Sequence, residues 1–252
     1  MVLELKVVRL AILAAALAAR PAIAGSDPGY RTVQSIGATG GSIQILEDAR
    51  LTPALARKLW ETAVDPIFVL GENAPEAQTF KARPPRPAKL RQVDHGGAVI
   101  QDIVLDNQAP IARIEPDRLA GPIYLVTTDN NAGFGSYSGL VTTLYKFRSG
   151  RLEPVRALAS DQHAEAVVLV DTLKSGWKII DHSPTHAVIE QLLCRPDLDH
   201  NKPGEEARFQ LTYITYWSDG RDWRVAKRVT PGFWENEGDW PAASNFPKAG
   251  GR

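Results

Sequence analysis

From residue 93 to residue 229 the apolar positions fall either in short unbroken runs or at every second residue. The runs "IYLVTT" (123–128) and "AVVLV" (166–170) are long enough for buried strands and too short for helices. Three longer stretches read as hairpins. "LVTTLYKFRSGRLEPVRAL" turns at Ser149-Gly150, "AVVLVDTLKSGWKIID" at Ser175-Gly176, and "FQLTYITYWSDGRDWRVAKRV" around Asp219-Gly220. Each sets a glycine, which accepts positive φ, between segments rich in β-branched and aromatic residues. In the third, Phe209, Leu211, Tyr213, Thr215 and Trp217 share one face of the first strand. Trp223, Val225, Lys227 and Val229 share one face of the second. The expected sheet has an aromatic face bearing Trp217 and Trp223, and an opposite, mixed basic face bearing Tyr216, Arg224 and Arg228. "THAVIEQLLC" is read as a strand because of Val188 and Ile189. The fold class expected is mainly β: an antiparallel sheet system, sandwich or open barrel of hairpins, with a small N-terminal α/β segment.

That segment covers residues 25–75. "SIQILED" (42–48) alternates like a strand. "LTPALARKLWETAV" gives the one helix expected, over 53–63, with Thr52 as N-cap, Pro53 in the first position, and Leu55, Leu59 and Ala63 on one face. "PIFVL" (66–70) is read as a short apolar strand. Residues 76–92 read as a basic, proline-rich linker, since Pro84, Pro85 and Pro87 forbid helix there. Its Lys81, Arg83, Arg86, Lys89 and Arg91 make it either a solvated connector or a docking strip for an anionic partner. The β domain spans 93–229, and an irregular tail, 230–252, has Phe233, Trp234 and Trp240 available to pin it.

The first 24 residues change where the protein is expected to act. Lys6 and Arg9 precede an apolar run, and Ala22-Ile23-Ala24 offers the small residues a signal peptidase reads. Cleavage after Ala24 delivers the chain to the periplasm or outside the cell, with no transmembrane segment left. Cleavage also removes Lys6, Arg9, Arg20 and Glu4 from 29 basic and 29 acidic side chains, leaving a net charge of about −2. A chain so nearly neutral has no global field for nucleic acid. Cys194 is the only cysteine, so no intramolecular disulfide forms.

"TTDNNAGFGSYSG" (127–139) is the stretch with the most look-alikes. Gly133, Gly135 and Gly139 are spaced one residue too widely for a dinucleotide loop, and a strand, not a helix, follows. A nucleophile elbow needs serine where Tyr137 stands. Asp129 and Asn131 begin a calcium-loop rhythm that lacks a second carboxylate. Asp197, Asp199 and Asn201 repeat it without the required glycine. Calcium at Asp129 or Asp197 therefore rests on an incomplete ligand series, and no other cofactor or metal is expected. What remains is a long loop displaying Phe134 and Tyr137, with Asp129 and Asn131 beside them, as the candidate ligand-binding site.

No coherent catalytic set stands out. His182 and His186 are four apart but have Pro184 between them, and Asp181-His182-Ser183 are too close in sequence to form a relay. The leading functional reading is an exported, non-catalytic binding module for an envelope protein or glycan. One alternative is a hydrolase using His182 or His163 with Asp129, Asp161 or Asp181. A second is a structural envelope protein.

Overall fold

A computed structural model describes residues 27–62, 66–106, 109–130, 136–201 and 205–250. The expected signal segment lies outside them. Among the described residues no helix is long and apolar enough to cross a membrane.

Tyr30–Ala38 (β1) and Gly41–Asp48 (β2) form an antiparallel hairpin. Three helices follow: Pro53–Thr62 (α1), Pro66–Leu70 (α2) and Pro75–Ala82 (α3). Each opens on a proline, whose fixed φ suits the first helical turn and whose missing N–H costs nothing there. Lys89–Asp94 (β3) and Val99–Val104 (β4) complete a four-stranded antiparallel sheet in the order β1-β2-β3-β4.

Two readings of this region change. "PIFVL" is helix α2, not a strand, because a five-residue apolar run carries no period to decide between the two, and Pro66 favours a helical start. Ile67, Val69 and Leu70 pack with Leu51, Leu55, Leu59, Phe80 and Ile111. The basic stretch 76–92 contains most of α3 and the beginning of β3, so only residues 83–88, with the three prolines, lie outside both. They are held in place: the Arg50 guanidinium donates to the carbonyls of Arg83 (2.9 Å) and Pro84 (2.8 Å) while pairing with the Asp48 carboxylate at 2.6 Å. Burial alone would raise the Asp48 carboxyl, but hydrogen bonds from the Arg50 side chain and from the Arg86 and Arg50 N–H groups outweigh it and hold its pKa at about 2. Lys89 meets Asp27 at 3.0 Å and Arg91 meets Asp102 at 2.8 Å, so these two cations already have carboxylate partners.

The larger sheet has eleven strands: Ala112–Asp117 (β5), Ile123–Asn130 (β6), Gly139–Arg148 (β7), Arg151–Pro154 (β8), Arg156–Leu158 (β9), Ala164–Ala166 (β10), Val168–Thr172 (β11), Ser175–Ser183 (β12), His186–Pro196 (β13), Phe209–Ser218 (β14) and Trp223–Pro231 (β15). Its order is β10-β9-β15-β14-β13-β12-β11-β7-β6-β5, with β8 on β7, and every pairing is antiparallel except β15 with β9. The mainly-β, antiparallel architecture expected from the hairpins is the one the chain forms. β10 and β11 are one strand interrupted at Val167, so the run from β10 round to β11 returns to its own start and forms a ring. Val167, Leu169, Ile189, Ile214, Tyr216, Trp223 and Val225 fill it.

β6 and β7 form the wall between this core and a second one. Ile123 and Leu144 point into the ring core, whereas Tyr124, Val126 and Tyr145 face Ile43, Ile45 and Leu90 of the small sheet. Burial on both faces explains why β6 reads as an unbroken apolar run.

The register of β14 on β15 corrects the expected faces. Ser218 pairs with Trp223 and Tyr216 with Val225, so Trp223 lies with Tyr216 on the ring side, opposite Trp217. The four residues 219–222 between the strands shift the alternation, and this offset sets which side chains meet. The outer face of β13 and β14, with Leu192, Cys194, Leu211 and Tyr213, is covered by the C-terminal tail. Phe246 stacks on Trp240 (centroids 5.5 Å apart) and meets Tyr213 edge-on at 5.2 Å. Thr215 Oγ1 donates to the Pro247 carbonyl at 2.7 Å.

Where two strands cannot pair, glutamine side chains stand in. Gln191 accepts from Val170 N–H (2.7 Å) and donates to the Val168 carbonyl (3.3 Å), because β11 and β12 separate after Thr172↔Ser175. Gln92 accepts from Leu152 N–H and donates to Gly150 C=O, while Gln34 does both to Ile114. A donor and an acceptor two residues apart is the pattern of a parallel ladder, and both on one residue is that of an antiparallel one.

Candidate binding surface

The β11–β12 turn is Leu173-Lys174, two residues before the expected Ser175-Gly176. Gly176 sits inside β12, and its role is close approach: a Cβ there would lie 2.9 Å from Asn236 Oδ1 and 3.2 Å from the Trp234 ring. The tail therefore lies directly on this glycine.

That turn is clamped from two sides. Lys174 N–H donates to Ser136 C=O (3.1 Å), at the end of the β6–β7 loop. Asn236 N–H donates to Leu173 C=O (2.8 Å), and its side-chain amide reaches Asp171 Oδ1 at 2.7 Å. The Lys174 side chain is buried, with Nζ 2.6 Å from Glu235 Oε1 and 3.6 Å from the centre of the Phe233 ring. Phe233 in turn meets Phe209 edge-on at 5.0 Å. Lys174 thus joins the long loop's end, through its backbone N–H, to the tail, through its ammonium. Tyr137 (45 % exposed), Leu173 (37 %) and Phe233 (56 %) stand out from it. Burial, and the nearby Cys194 thiol, raise the Tyr137 hydroxyl above the usual tyrosine value, against the pull of Lys174 and Arg195, so the ring stays neutral.

The four residues singled out from sequence are placed differently. Tyr137 is on this surface. Asp129 is fully buried on β6, opposite Leu140 of β7. Phe134 and Asn131 lie outside the described residues. Gly139, read as part of a glycine series, has φ 157° and brings β7 against β11: a Cβ would fall 2.2 Å from Asp171 O. Leu173 and Lys174 were hidden by the misplaced turn, and the partnership of Phe233 with the loop has no local signal because it depends on the tail folding back.

The histidines lie elsewhere. His163 N–H donates to Asp161 in the β9–β10 turn, and His186 pairs with Asp181 at 3.4 Å beside His182 at the tip of the β12–β13 hairpin. The Asp197 carboxylate is engaged by His200 Nδ1 at 2.9 Å, a hydrogen bond that lowers its pKa. Among the described residues no three His, Cys, Asp or Glu side chains are grouped to hold a metal ion.

Apart from that surface, a concavity of about 670 Å³ opens between β1, α1 and the start of β5 and is lined by Arg31, Glu47, Arg57, Trp60 and Arg113 among others. Nothing in the sequence marked it, because these five come from four separate elements. Comparison with protein-family models, with curated proteins and with solved structures finds no match for this chain, so its own geometry carries the functional reading.

Proposed function

We propose that the chain is an exported, non-catalytic binding module whose partner, an envelope protein or a glycan, is held at the Tyr137–Phe233 surface. The observation that carries this reading is the exposure of two aromatic rings and Leu173 on a turn fixed by a buried lysine that pairs with the partly exposed Glu235. Apolar groups displayed on a rigid base lose little conformational freedom on binding, and flat rings suit both sugar C–H faces and apolar side chains. The secretory pattern of residues 1–24 supports the exported compartment in this reading.

The test uses immobilised protein, with purified cell-wall glycan and solubilised envelope proteins offered separately. Tyr137→Ala with Phe233→Ala should weaken retention of the bound fraction by about 30-fold, the factor expected for losing aromatic anchors. Melting should fall modestly, because Phe233 also covers the Lys174 ammonium and meets Phe209, so retention is compared at a temperature where both proteins are folded. Equal retention by the folded double variant rejects this surface as the contact.

A further inference from the structure

We propose that the cleft between β1, α1 and β5 is a second binding site, for a small organic oxyanion: a carboxylate or phosphate on a body the size of one or two sugar rings. The cleft's volume, about 670 Å³, lies within the range of small-molecule sites. It is well beyond the need of a lone inorganic ion.

Charge selects the class. Three arginines line the cleft against one carboxylate, and that carboxylate is already used by the protein. Glu47 is 3 % exposed, accepts the Ala112 N–H and lies 3.4 Å from Arg31 Nη2. Glu47 and Arg31 therefore close the floor and leave Arg57 and Arg113 as the cations presented to a ligand. Arg113 is fixed by Trp60 and feels the Glu47 charge only at a distance. Its guanidinium stacks over the Trp60 ring at 3.8 Å, and among the described residues it has neither a hydrogen-bond acceptor nor an ion pair. By contrast Arg50, Lys89, Arg91 and Lys174 each meet a protein carboxylate at 2.6–3.0 Å. A guanidinium held flat by an indole keeps its N–H edge for a planar or tetrahedral oxyanion, and two-pronged recognition is what arginine does better than lysine. Arg57, in a long, exposed 3.9 Å pair with Glu61, supplies a second charge from the helix side.

This site is independent of the Tyr137 surface. Its test is calorimetric titration at low ionic strength with glucuronate, glucose 6-phosphate and uncharged glucose. At least one of the two anions should bind one to one and glucose should not. Glucuronate alone assigns a carboxylate, glucose 6-phosphate alone a phosphate. Arg113→Gln, at an exposed position, should weaken binding at least about tenfold, Arg57→Gln less, and Arg113→Lys should recover only part of the loss. The indole N–H resonance of Trp60 should move on titration. Failure of both anions to bind, equal binding by glucose, or an unchanged affinity in Arg113→Gln overturns the proposal.

Discussion

The ring of β9–β15 and the small β1–β4 sheet meet the same requirement by different means. Both have strand edges whose N–H and C=O groups need partners. The ring supplies them by main-chain ladders: β13 and β14 alone match ten residue pairs. The small sheet is attached to its neighbour side chain by side chain, with Gln34 and Glu47 on β5, and Gln92 and Gln101 on the β7–β8 hairpin. A ladder shares its load over many bonds. A side-chain clip concentrates it in one residue, so single substitutions should act differently in the two regions.

The largest effect belongs to the place where the ring itself relies on a clip. Gln191→Leu leaves Val170 N–H and Val168 C=O without partners beside a packed core, and should cost about 2–4 kcal/mol in urea denaturation. A change under about 0.5 kcal/mol would show that the ring does not need it.

Next comes acid. The Asp48 carboxyl, at about 2 when folded, lies below its ordinary value of 3.8. The stabilisation it brings is therefore fully present above pH 3.8 and is lost as the pH falls through about 2. It amounts to about 2 kcal/mol. Asp48→Asn should remove this acid step, which a stability–pH series would reveal. An unaltered acid limb in that variant means other carboxylates govern it.

The smallest effect sharpens the comparison most. Gln34→Leu should cost about 1–2 kcal/mol and speed hydrogen exchange at Ile114 N–H, while exchange along β13 and β14 stays unchanged. Exchange that speeds up equally in both regions would make them one cooperative unit.

The hairpins were legible because their chemistry is local. Ser149-Gly150 and Asp219-Gly220 turn where the residues say they should. Ser175-Gly176 misled because a glycine that admits a distant tail looks the same, in sequence, as one that makes a bend. The faces of β14 and β15 escaped for a related reason: alternation fixes each strand, but only the length of the turn fixes one against the other. Of the candidate surface, Tyr137 was visible as an aromatic in a long loop. Phe233 and Lys174 join it through contacts made across the fold, and the cleft around Arg113 is assembled in the same way.

The parallel pairing of β15 with β9 has a kinetic consequence. β15 touches β9 through only Trp223↔Ala157 and Arg224↔Leu158, with Lys227–Glu165 at 2.6 Å beside it, yet this contact shuts the ring. Everything from β10 to β14 is looped between its two sides. Hairpins form fast because their partners are neighbours along the chain, whereas this seam waits for a long loop to close. The ring should therefore assemble as hairpins first and close last. The same short seam is where it should first reopen.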